Sequence, residues 1–176
     1  MIEALKLPAG EIVESDEILQ SCAEKGITEI SGCIDSQKAH LAACLHPEGG
    51  ASLLVSENEK KARELFDDMQ LFAPDVMYFP RRDLLFEGAD VEGNLLTRQR
   101  IQVIRALIEQ ENVTIVTSTG GCMDHLLPLR VFEKSILRIE TGGTLDLTKT
   151  AAVLARMGYE RTAQTDAAGQ FSIRGD

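Results

Sequence analysis

The sequence is short of positive charge. Its 176 residues carry 18 Lys and Arg against 28 Asp and Glu, a formal net charge of −10. Residues 1–134 hold 13 basic and 23 acidic side chains, and residues 135–176 hold five of each. Neither stretch has the excess of Lys and Arg that neutralising a phosphate backbone requires, so the polypeptide alone is a poor grip for DNA. No apolar run approaches the roughly 18 residues a membrane helix needs, which argues against a membrane partner. Met1-Ile2-Glu3-Ala4-Leu5-Lys6 lacks a basic region followed by an apolar stretch, so no export signal is read and a cytoplasmic location is expected. The four cysteines form no Cys-x-x-Cys pair, and His40, His46 and His125 have no metal-ligand spacing with an acid or thiol. Reduced thiols and no metal site are expected. No Ser–His–Asp or Cys–His arrangement is visible, and Asp67-Asp68 would point about 100° apart on a helix, so no catalytic residue is assigned.

What is present is ordinary globular usage, 44% hydrophobic and 26% charged, with length for one domain or slightly more. After a helix at about Asp16 to Lys25, short apolar runs alternate with amphipathic stretches. Ile27 to Ile30 reads as a strand, Ser36 to Leu45 as a helix, and Ser52 to Val55 as a buried strand. Ser56 and Glu59 form a candidate capping box for a helix whose apolar face is Ala62, Leu65, Phe66, Met69 and Phe72. Val76 to Phe79 is a third strand, closed by Pro80. A loop over Arg81 to Gly93 precedes a helix at about Leu95 to Gln110, with Ile101, Ile104 and Ile108 on one face, and Val113 to Thr117 is a fourth strand. Strands alternating with helices of this length imply a parallel sheet covered by helices.

Beyond Pro128 the pattern changes. Ser135 to Ile139 reads as a strand, Thr141-Gly142-Gly143 as a turn, and Asp146 as the cap of a helix that Gly158 stops. Tyr159 to Thr165 and Gln170 to Ile173 read as two strands joined by a turn at Asp166 to Gly169. This small α+β unit stops beside a strand, and a fragment of a longer protein is expected.

The first apolar run leads into Gly32-Cys33-Ile34-Asp35-Ser36-Gln37-Lys38-Ala39. Against the phosphate-loop pattern G-x-x-x-x-G-K-[ST], Gly32 and Lys38 fall in register and the other two positions fail. The context suits an anion at a helix N-terminus. Gln37, however, replaces the glycine that lets a phosphate approach the backbone, and Ala39 has no hydroxyl for Mg²⁺. Gly32, Ser36, Gln37, Lys38 and Ala39 are therefore expected to form an inactive nucleotide loop.

These residues, with Tyr78-Phe79-Pro80, Arg98-Gln99-Arg100, Val113 to Thr117 and the terminal Gly169-Gln170-Phe171-Ser172-Ile173-Arg174-Gly175-Asp176, resemble the N-terminal region of the bacterial transcription-repair coupling factors, the Mfd family, itself similar to the excision-repair protein UvrB. The resemblance runs from about residue 27 to the end. It implies an α/β fold: a degenerate RecA-like, P-loop-type parallel sheet with helices on both faces at residues 1–134, then a truncated small α+β UvrA-docking domain at 135–176. It implies recruitment of UvrA to stalled transcription complexes in nucleotide excision repair, with Arg174 against UvrA. No cofactor is implied for this chain: ATP and Mg would serve motor domains, and RNA polymerase and DNA would be bound by parts, beyond residue 176. UvrB keeps the second glycine and the threonine of its loop and carries a long aromatic hairpin, for which Pro80 to Asn94 is too short and offers only Phe86.

Two other readings are a small α/β nucleotide-binding enzyme with a divergent loop and a UvrB-like DNA helicase part. Arg81-Arg82 reads as a solvated loop offset by Glu87, Asp90 and Glu92. Arg98, Arg100 and Arg105 read as a solvated helix face, and Glu57, Glu59, Lys60, Lys61 and Glu64 as an ordinary charged one.

Overall fold

The computed structural model describes residues 14–45, 50–73, 75–82, 92–109 and 112–174. It divides into two units, Met1–Leu126 and Leu127–Asp176.

Among the described residues the first unit has three strands, β1 (Ala51–Ser56), β2 (Val76–Phe79) and β3 (Val113–Ser118). They pair in parallel in the order β1-β3-β2. Parallel strands cannot be joined by a tight turn, so helices make the crossovers. These are α3 (Glu59–Met69) and α4 (Glu92–Ile108), preceded by α1 (Glu14–Lys25) and α2 (Asp35–Cys44).

Register fixes which residues share a face. Leu54, Val116 and Tyr78 stand in one row across the sheet. On that row pack Ala62 and Met69 of α3 and Ala39 and Ala43 of α2, with Leu65, Phe66 and Phe72 around them. The expected apolar face of α3 is thus the core. The next row, Val55, Thr117 and Phe79, faces the other way because side chains alternate along a strand. There α4 buries Arg100, Val103, Ile104 and Ala106. Helices lie on both faces of the parallel sheet, as the resemblance implies, with β1 only partly covered on one of them.

Several local expectations differ from the structure. Ile27 to Ile30 forms no strand; no described strand pairs with it, and Ile27 is 85% exposed. β1 lies at the sheet edge, so its burial alternates instead of being continuous, with Leu53 57% and Val55 48% exposed. Asn58, not Ser56, caps α3, its side chain accepting from the Lys61 N–H at 2.9 Å, because Ser56 is still engaged in β1. In α4, Ile104 is buried but Ile101 is 51% exposed, and the inward position one turn from Ile104 belongs to Arg100.

In the second unit, α6 (Leu129–Glu133) follows α5 (Thr119–Met123) of the first, and α7 (Leu147–Arg156) starts at Asp146, whose carboxylate accepts from the Lys149 N–H at 3.0 Å. Gly158 ends α7 at φ 92°, a left-handed value that side chains resist. Ser135 to Ile139 is not a strand, with Ile139 exposed and no described strand beside it. The two strands beyond are short, β4 (Glu160–Arg161) and β5 (Gln170–Phe171), and pair in parallel. The Glu160 N–H donates to Gly169 O at 2.8 Å and the Thr162 N–H to Phe171 O at 2.9 Å. Between them the Gln170 side chain accepts from the backbone N–H groups of Asp166 and Ala167.

Candidate functional site

Two places in the first unit gather polar side chains. The first is the stretch matched to a phosphate loop. Gly32 turns the chain at φ 83°, and Ile34, in extended conformation, precedes α2. The Ile34 N–H donates to Gln37 Oε1 at 3.1 Å, so the Gln37 side chain folds back over the turn where a glycine would leave room. Lys38 Nζ sits 2.8 Å from Asp35 Oδ1, and Lys61 Nζ of α3 reaches Asp35 Oδ2 at 2.9 Å. Hydrogen bonds from Lys38 and then Lys61 lower the Asp35 carboxyl to about 2, and Asp35 in turn raises Lys61. The anion that Lys38 holds is therefore supplied by its own chain, three residues away. Ser36 is exposed, and Ala39 is fully buried in the core.

The second place is the crevice at the carboxyl ends of the strands, where open parallel sheets commonly bind ligands. Glu59, at the first turn of α3, ties three elements together. Its Oε2 accepts from the Tyr78 hydroxyl at 2.7 Å, and its Oε1 from the Arg81 N–H at 2.8 Å and Ser118 Oγ at 3.1 Å. Burial, followed by the neighbouring Glu59, pushes the Tyr78 hydroxyl pKa upward. Ser118 Oγ accepts from the Gly121 N–H at 3.0 Å, capping α5. Beside it, Arg100 Nη1 donates to Pro80 O at 2.6 Å and to Asp124 Oδ2 at 2.9 Å, while its guanidinium lies 4.1 Å from the Phe79 ring centroid. Burial pulls Arg100 below its usual value, and Asp124 opposes that pull. Asp124 Oδ2 also accepts from the Arg82 N–H at 2.7 Å.

Glu59 and Arg100 are thus not surface charges, as local spacing suggested, but the two clamps of the strand exits. Arg81 and Arg82 are irregular and their side chains exposed, as a solvated loop would have them, while the backbone N–H of each is held by Glu59 and Asp124 respectively. Residues 83–91, with Glu87 and Asp90, lie outside the described residues, as does the side chain of Glu92. Among the described residues no group of three His, Cys, Asp or Glu comes together as a metal site would need, and no disulfide joins the cysteines. Arg174 lies three residues past β5, exposed, and belongs to the second unit.

A protein-family model, the UvrB interaction domain, matches residues 137–176, most of the second unit. Over more of its length the chain is 28% identical to the transcription-repair-coupling factor of Bacillus subtilis, covering 93% of the chain and 14% of that protein. It is 26% identical to UvrABC system protein B of Thermosipho africanus, over 96% of the chain and 28% of that protein, and 24% identical to the Staphylococcus aureus transcription-repair-coupling factor, over 84% and 13%. The resemblance to the UvrB-homology region of transcription-repair coupling factors stands, with UvrB equally near. The chain spans between about an eighth and just over a quarter of these relatives. Among the described residues no helix is long and apolar enough to cross a membrane.

Proposed function

We propose that this chain is a non-catalytic recruitment module of nucleotide excision repair that docks UvrA through the unit at residues 127–176, with Arg174 on the docking surface. It works in the cytoplasm, within a coupling protein whose contacts with RNA polymerase and DNA, and whose use of ATP and Mg, belong to other parts. The observation that carries this reading is the UvrB interaction domain at 137–176. The first unit supports it: Lys38 is engaged by Asp35, the turn is filled by Gln37, and Ala39 offers no hydroxyl. A guanidinium presents a planar donor fork to carboxylates, and arginines are frequent interface anchors.

The test is binding of immobilised UvrA by the chain and by Arg174→Ala. The wild type binds, and the variant weakens binding by roughly thirtyfold, the scale of an anchor residue. Equal binding of both overturns the role of Arg174, and failure of the wild type overturns recruitment by this unit. Calorimetry with Mg-ATP shows no binding in the micromolar range. The similarity to UvrB keeps a helicase part as a second reading, and micromolar Mg-ATP affinity with nucleotide-dependent strand separation favours it.

A further inference from the structure

We propose that the cleft at the carboxyl ends of β2 and β3 is a second docking site, for an acidic segment of a partner protein in which carboxylates are interspersed with apolar side chains. The site lies wholly within the first unit and is independent of the reading given for Arg174.

The cleft, about 980 Å³, is bordered by Lys60, Arg63, Arg81, Arg82 and His125, over a floor that includes Tyr78, Pro80 and Leu96. Four cations therefore border one opening in a chain of net charge −10, one of them, Arg82, already engaged. Its two carboxylates are already engaged: Glu59 by Tyr78, Arg81 N–H and Ser118, and Asp124 by Arg100 and Arg82 N–H. Those bonds fix the backbone of Arg81-Arg82 while both side chains stay exposed. Arg63 is held by stacking, its guanidinium 4.2 Å from the Tyr78 ring centroid, which leaves its N–H fork available. Among the described residues no carboxylate pairs with Arg63 or Arg81, and Lys60 reaches only Glu64, at 4.0 Å. Exposed cations placed on a fixed backbone, above an apolar floor, suit a ligand that alternates negative and apolar groups.

Nucleic acid fits less well. Single strands are held by bases stacking on aromatic faces, but of the two rings of the cleft Tyr78 is buried and covered by Arg63, which leaves the small His125 ring alone exposed at the border. A long polyanion leaving the cleft would also run along an acidic protein, whereas a short peptide segment ends within reach of Lys60, Arg63 and Arg81.

The experiment is fluorescence anisotropy of the full chain with a short labelled peptide alternating Asp and Glu with Leu, at low salt. Its Asn and Gln counterpart and a labelled single-stranded oligothymidine serve as the other arms. The acidic peptide binds, the amide peptide does not, and Arg63→Gln and Arg81→Gln each weaken binding about threefold to tenfold, the range for exposed charge pairs. Arg98→Gln, an exposed change outside the cleft, leaves binding intact. Absence of peptide binding, an equal loss in Arg98→Gln, or oligothymidine binding as tightly as the peptide overturns the proposal.

Discussion

Replacing Glu59 by alanine removes the acceptor on which three donors of the first unit converge. The Tyr78 hydroxyl, the Arg81 N–H and the Ser118 hydroxyl approach its two oxygens at 2.7, 2.8 and 3.1 Å. A hydrogen bond to a charged group contributes about 1.5–3 kcal/mol, and a buried donor left without a partner costs about 1–3 kcal/mol. Tyr78 is buried, Ser118 can still turn its hydroxyl elsewhere, and Arg81 N–H can find water. Discounting the latter two, Glu59→Ala costs about 3–4 kcal/mol, high among single substitutions. Glu59→Gln keeps one acceptor oxygen for Arg81 and Ser118 and offers its amide N–H to the tyrosine oxygen, so it costs about 1–2 kcal/mol.

Urea denaturation followed by circular dichroism checks this, with midpoints falling in the order wild type, Glu59→Gln, Glu59→Ala at constant slope. Tyr78→Phe supplies the second axis of a double-mutant cycle. Alone it loses the hydroxyl's bond, while in the Glu59→Ala background it removes an already orphaned group, so the two changes couple by at least about 1 kcal/mol. A loss below about 1 kcal/mol for Glu59→Ala, or strict additivity with Tyr78→Phe, refutes the assignment of Glu59 as the clamp.

Three further outcomes are expected. The Asp35 carboxyl is lowered from 3.8 to about 2 by Lys38 and Lys61, so its favourable contribution is complete above about pH 4 and is lost as pH falls toward 2. Asp35→Asn flattens the urea midpoint over that window, 1 M salt weakens the effect, and a wild-type profile identical to the variant's contradicts the pairing. Arg100→Ala leaves Asp124 with the Arg82 N–H but without its ionic partner, and Pro80 O without its donor, costing about 3 kcal/mol, and a midpoint within experimental error of wild type contradicts the buried clamp. Gly121→Ala drives a Cβ into Thr117 Oγ1 and to 3.3 Å from Phe79 O, and overpacking of this kind costs about 1–3 kcal/mol in the same assay.

The sheet was legible where side chains repeat a buried period: β2, β3 and the apolar face of α3 follow from Val76 to Phe79, Val113 to Thr117 and the spacing of Ala62, Leu65, Phe66, Met69 and Phe72. Ile27 to Ile30 and Ser135 to Ile139 misled because a β-branched run states a preference, whereas a strand also requires a neighbour to pair with. Leu53 and Val55 misled for a related reason. Composition does not reveal that β1 stands at an edge, with one face only partly covered. Glu59 was hidden by distance along the chain, its partners lying 19, 22 and 59 residues away. Arg100 was hidden by type, since a helical arginine reads as solvent-facing unless its acceptors are known. The available signal was positional: Arg100 stands one turn before Ile104, on the face that the apolar period assigns to the core.

The distribution of engaged and open polar groups bears on the choice between a nucleotide-binding enzyme and a recruitment module. A catalytic cradle holds donors ready for a substrate to complete, as preorganised oxyanion and phosphate sites do. In the stretch matched to a phosphate loop, Lys38 is met by Asp35, and the Ile34 N–H by Gln37. In the crevice the carboxylates of Glu59 and Asp124 answer donors from the strand exits. Among the groups left open are Arg63 and Arg81 at the cleft and Arg174 in the second unit, exposed arginines without a described ionic partner, a condition they share with Arg98, Arg130, Arg156 and Arg161. Exposed guanidinium forks carry no acid–base chemistry at neutral pH, because arginine does not release its proton there. They can recognise carboxylates on another protein, which is the use that the proposed recruitment role makes of them.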